Sequence, residues 1–125
     1  SEDVASEFEN LPDGEYEGYI SDFTYRVNDK GTEWFSFEIT IPTENNRKYW
    51  ANLFLSGKMA KVNLKKMLNY IYKLSGVAME SMDFADPEAG AAIAKEHVSG
   101  VFVYLTLKTN KNDFQSFTME RSEGN

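Results

Sequence analysis

The chain has 125 residues, no cysteine and a formal net charge of −7, with 42% hydrophobic and 14% aromatic content. That length suits one domain able to bury about two thirds of its unfolded surface, and the composition excludes wholesale disorder. Lack of cysteine removes disulfides, thiolate metal sites and cysteine nucleophiles together. No apolar run reaches the roughly 18 residues of a membrane span, and the acidic start is unlike a signal peptide. The expectation is a soluble intracellular protein, with no membrane partner.

The charge is unevenly spread. Residues 1–22 carry eight acidic side chains and no basic one, whereas residues 23–73 carry nine basic and four acidic. A phosphate backbone senses the local field, screened over about 8–10 Å, rather than the total. An acidic protein can therefore still present a cationic face.

In chain order, residues 1–10 read as a flexible acidic arm, and residues 11–120 as the folded domain. Leu11-Pro12-Asp13-Gly14 is a type I turn signal. A strand over 15–27 follows, in which Tyr16, Gly18 and Ile20 alternate before Phe23 and Tyr25 fall on the opposite parity. A parity switch within one long strand predicts a bulge. Asn28 to Gly31 forms a hairpin turn. The strand over 32–41 places Phe35, Phe37, Ile39 and Ile41 on one face and Trp34, Ser36, Glu38 and Thr40 on the other. A third strand, over 47–55, sets Tyr49, Ala51, Leu53 and Leu55 against Lys48, Trp50, Asn52 and Phe54.

Ser56 suits the N-cap of an amphipathic helix over 58–74, whose apolar stripe runs from Val62 to Leu74. Gly76 suits the left-handed position after it, with Val77 packing back on Tyr72 in a Schellman arrangement. Asp86-Pro87-Glu88 opens a short helix reaching Lys95. Strands over 100–107 and 114–119 close the pattern, joined by the polar turn from Lys108 to Asp113, and 121–125 is a short polar tail.

Three strands, a helix and two strands is the order of a mainly β, five-stranded Greek-key barrel of the OB type, with one amphipathic helix between strands three and four. Such barrels bind single-stranded nucleic acid on strands two and three and on the loops after strands one and four. Trp34 and Trp50 stand on the outward side of those strands as stacking platforms. Arg26, Lys30, Arg47, Lys48, Lys108 and Lys111 neutralise phosphates, with Asn52 on the same face as Trp50. Phe54, Phe102, Tyr104 and Phe114 read as core or interface rather than ligand contacts. Helix capping accounts for Asp86 and Glu88 near Asp83, and His97 has no partner set for catalysis. No phosphate-cradling glycine loop, Gly-x-Ser-x-Gly or paired-histidine helix occurs, so neither enzyme activity nor a cofactor or metal is expected.

The stretch Phe8-Glu9-Asn10-Leu11-Pro12-Asp13-Gly14-Glu15-Tyr16, with Lys30-Gly31-Thr32 before strand two, resembles the OB-fold single-stranded-DNA-binding proteins encoded by tailed bacteriophages of Gram-positive hosts. The resemblance implies binding of single-stranded DNA with little sequence preference during phage DNA replication and recombination. It also implies work in the cytoplasm of the infected host, a homodimer, and a recombinase as partner. The chain departs from functional relatives in ending without an acidic, apolar-tipped tail; its acidic block is N-terminal, where it would compete with DNA. RNA binding, or a protein-interaction or structural phage module on the same barrel, are the alternatives.

Overall fold

The computed structural model describes residues 11–123. Five strands, β1 (Gly14–Val27), β2 (Glu33–Ile41), β3 (Arg47–Phe54), β4 (Phe102–Thr109) and β5 (Gln115–Arg121), form one antiparallel sheet in the order β3-β2-β1-β4-β5. Two helices, α1 (Ala60–Ser75) and α2 (Pro87–Val98), lie between β3 and β4. The expected acidic arm over 1–10 lies outside the described residues, and the expected tail begins later than read, because β5 runs on to Arg121.

β1 organises the sheet by pairing with different neighbours along its length. Gly14 to Tyr19 pair with β4, and Tyr19 to Val27 pair with β2. The register slips between Ile20 and Asp22, leaving Ser21 as the extra residue where the parity switch predicts a bulge. The Ser21 hydroxyl donates to the Glu38 carboxylate at 2.7 Å and accepts from Thr40 Oγ1 at 2.8 Å, fixing the bend. Just before it, Gly18 makes the bend sterically possible. A Cβ there would stand 2.5 Å from the Thr40 carbonyl oxygen and 2.9 Å from Ile39 Cγ2.

The bulge keeps the apolar residues of both halves of β1 pointing one way. Ile20 and Phe23 join Phe35, Phe37, Ile39, Ile41, Ala51, Leu53, Val103, Leu105 and Leu107 in a single core. Phe23 and Phe37 touch with ring centroids 4.6 Å apart. Each such ring contributes about 1.5–3 kcal/mol by its burial. Met67, Ile71 and Leu74 of α1 cover this core, as do Ala91, Ala94 and Val98 of α2.

Several local expectations change. Ser56 makes no side-chain cap; Gly57–Met59 is a 3₁₀ turn, and α1 starts at Ala60. The start of α1 is instead tied to the sheet by Asn63, whose amide donates to the Phe54 carbonyl at 2.7 Å. Gly76 is left-handed as expected, at φ 79°, and its N–H donates to the Tyr72 carbonyl at 2.7 Å, while the Val77 N–H goes to the Ser75 hydroxyl in place of the Schellman hydrogen bond. The second helix runs three residues further than its cap-based reading, to Val98, with Asp86 capping Ala89 as the sequence predicts.

Candidate nucleic-acid interface

The outward side of β1, β2 and β3 is built in cross-strand rows. Arg26, Trp34 and Phe54 form one row; Thr24, Ser36 and Asn52 the next; Asp22, Glu38 and Trp50 the third. Their inward alternates are the buried core residues, so the pleat itself dictates which side chains this face presents. Trp50 and Phe54 are each 42% exposed. Trp34 is half-buried because it leans on Phe54, ring centroids 5.4 Å apart. Four residues of strand separate Trp50 from Phe54, about 13 Å, so the aromatic pair and the lone indole can engage separate bases. Between them the Ser36 hydroxyl is buried, with no hydrogen-bond partner among the described residues.

Phe54, which the sequence reading assigns to core or interface, is exposed on this face beside Trp34. Its parity with Trp50 was visible, but only the register, which sets it opposite Trp34, makes it part of an aromatic pair.

The cations divide into groups. Arg26 is exposed beside Trp34. Lys30 sits in the turn between β1 and β2, where Asn28 Oδ1 accepts from the N–H groups of Lys30 and Thr32, both at 2.9 Å. Lys111 occupies the matching turn between β4 and β5, held open by Asn110 Oδ1 accepting from the Asn112 and Phe114 N–H groups. Lys48 is on the face but not free, since its Nζ lies 3.3 Å from a Glu38 carboxylate oxygen. Asp22 is likewise answered by Lys95 of α2, at 3.2 Å. Two expected phosphate contacts are not on this face. Arg47 has the parity of the buried Tyr49, on the opposite side from Lys48 and Trp50, where its charge acts on the Tyr16 phenol. Lys108 projects from β4, paired with Ser116 of β5.

Acidic groups gather elsewhere on the sheet. Across β1, β4 and β5, Glu17, Tyr104 and Glu120 form one row. The Tyr104 phenol is pushed up from its ordinary value, first by its hydrogen bond to Glu17 and then by the charges of Glu17, Glu15 and Glu120. On the inward side Tyr25 donates to Glu33 and is pushed up to about 12. Asp83 accepts from the Glu80 N–H and Asp86 from the Ala89 N–H, and no group of three metal-ligating side chains forms among the described residues. No helix is long and apolar enough to cross a membrane.

Compared with models of known protein families and with curated proteins, the chain gives no match.

Proposed function

We propose that this protein binds single-stranded DNA, with little sequence preference, on the outward face of β2 and β3. The observation that carries the reading is the set Trp34, Phe54 and Trp50, three aromatic rings turned outward in register on two adjacent strands. Stacking on such rings contributes about 1–3 kcal/mol per base and accepts any base. Arg26, Lys30 and Lys111 supply cations around it, and Asn52 adds an amide between the rings.

The same reading takes the sheet as a closed OB barrel. Supporting it are the bent β1, shared between β2 and β4, and the Tyr49–Phe117 ring contact at 6.3 Å, which brings the two edge strands together through their side chains. The turns bearing Lys30 and Lys111 are then the two loops such barrels use for ligands. The resemblance of residues 8–16 and 30–32 extends the proposal to phage DNA replication and recombination in the infected host, as a homodimer with a recombinase as partner.

Titrating oligo-dT while following tryptophan fluorescence tests this directly. Quenching is expected, and Trp34→Ala and Trp50→Ala should each weaken binding by about 1–3 kcal/mol. A parallel oligo-rU titration distinguishes RNA. The two carboxylates on the face, Asp22 and Glu38, favour a second reading as a protein-interaction module. Unchanged fluorescence with both oligomers would select it.

A further inference from the structure

Beyond the edge of β3 the proposed face continues into a groove of about 520 Å³ between β3, β5 and the first turns of α1. Trp50, Asn52 and Phe54 belong to both. The groove's other walls include Phe114, Gln115 and Lys66. Its size falls within the roughly 300–1,000 Å³ of small-molecule sites.

The lining has an unusual distribution for a surface cleft in so acidic a chain. Phe114, at 68% exposed, is the most exposed aromatic among the described residues, and the exposed Trp50 and Phe54 line the same groove. Among the described residues, the only charged side chain lining the groove is the cation Lys66, which α1 presents beside Asn63 and Met59. The wall is held in place from behind. Gln115 Nε2 donates to the Leu11 carbonyl at 2.8 Å and to Asp13 Oδ1 at 3.0 Å, and Asp13 in turn accepts from the Thr109 N–H and hydroxyl. Phe114 is seated by its N–H to Asn110 Oδ1. Aromatic planes, amides and one cation without a carboxylate form the chemistry that takes a base on its face and a phosphate at its edge.

We infer that this groove is a second compartment of the nucleic-acid site: the strand leaving the β2–β3 face turns over the edge of β3 and places a base against Phe114, with its phosphate near Lys66. The inference rests on the function proposed above and adds residues to it, two of which, Phe114 and Lys66, lie off the β2–β3 face entirely. Continuity through Trp50 and Phe54 favours the same strand over an unrelated small ligand, since anything filling the groove touches rings that the face already uses.

Fluorescence anisotropy of labelled oligo-dT, over a series of lengths and salt concentrations, separates the two ideas. Phe114 and Lys66 are exposed, so their replacement leaves the core intact. Phe114→Ala should weaken binding about five- to a hundredfold and shorten the oligomer needed for full affinity, whereas Phe114→Tyr should keep both. Lys66→Gln should flatten the slope of log affinity against log salt by about 0.7. Wild-type affinity in Phe114→Ala and Lys66→Gln, alongside loss in Trp34→Ala, would overturn the groove and leave the face standing. No binding by the wild type would remove the face first. A dimer that dissociates on Phe114→Ala with DNA affinity unchanged would assign the groove to a second copy of the chain and overturn the inference.

Discussion

Glu38→Gln asks whether a polyanion crosses the face beside Trp50. Glu38 stands opposite Trp50 in the β2–β3 register and holds Lys48 at 3.3 Å. A phosphate that recruits Lys48 must first break this ion pair and then tolerate the carboxylate it leaves behind. An exposed pair of this kind contributes about 0.2–1 kcal/mol. The repulsion between two unit charges about 7 Å apart in water adds about 0.6 kcal/mol. Removing both penalties therefore tightens binding by about 1 kcal/mol, or about fivefold at low salt. Because Lys48 becomes available to a phosphate, the salt slope should steepen by up to about 0.7. Glutamine keeps an acceptor for the Ser21 hydroxyl, so the bend of β1 is preserved and stability should change by no more than about 1 kcal/mol. Anisotropy of labelled oligo-dT between low and moderate salt measures both quantities, with thermal unfolding as the control. Equal or weaker binding in a variant that melts like the wild type would show that no phosphate passes this carboxylate, and the route over Trp50 would be wrong.

Two further perturbations test the scaffold. Gly18→Ala drives a methyl group to 2.5 Å from the Thr40 carbonyl oxygen, a backbone atom with nowhere to move, so urea unfolding should show a loss of about 1–3 kcal/mol or more; an unchanged midpoint would refute the role given to Gly18 in bending β1. Asp13 is held below the usual carboxylate value of 3.8 by its hydrogen bonds to Gln115 and to the hydroxyl and N–H of Thr109. A depressed folded-state value means that the stabilisation is complete above the unfolded value and disappears as pH falls through the folded one. Asp13→Asn should therefore melt earlier than the wild type at neutral pH, the two melting temperatures converging below about pH 4; a constant gap across the whole range would contradict this tether.

What the sequence made legible was whatever depends on period. The parity switch between Ile20 and Phe23 located the bulge, and the alternation from Trp34 to Ile41 separated the two sides of β2, because a pleat leaves no third direction, but Ser36 and Thr40 on the outward side are themselves buried. The same rule already separates Arg47 from Lys48, so its place away from the tryptophans was readable from the alternation of β3. Pairing across strands was not. The Glu38–Lys48 contact depends on how the turn after β2 sets the register, and that turn is a 3₁₀ segment followed by Asn45 and Asn46, both at φ 58°. The groove was hidden for the same reason, since it joins β3 to residues about sixty positions away on β5. The first turn of α1 escaped because Ser56 looks like a cap, whereas the helix is anchored by its fourth residue, Asn63.

These placements bear on how a chain of net charge −7 can hold a polyanion. On the sheet its acids are sorted rather than absent: Glu15, Glu17 and Glu120 share the outward side of β1, β4 and β5, and Asp22 and Glu38 on the aromatic face are each matched to a lysine, while Asp29 and Asp113 share the turns of Lys30 and Lys111. That matching removes net repulsion but also occupies cations, so the proposed binding mode relies for phosphate contacts on Arg26, Lys30 and Lys111, with Lys66 at the groove. With so few, counterion release in the proposed mode is a modest share of the binding free energy, because each phosphate on a single strand contributes only about 0.7 to the salt slope. Stacking does not share this limit. In the proposed binding mode, three to four rings at about 1–3 kcal/mol each would supply most of the affinity, without regard to sequence or to the charge of the remaining surface. A shallow wild-type salt slope in the Glu38→Gln titration is therefore what this arrangement requires. A steep one would mean that the strand follows a cationic path away from Trp34, Phe54 and Trp50.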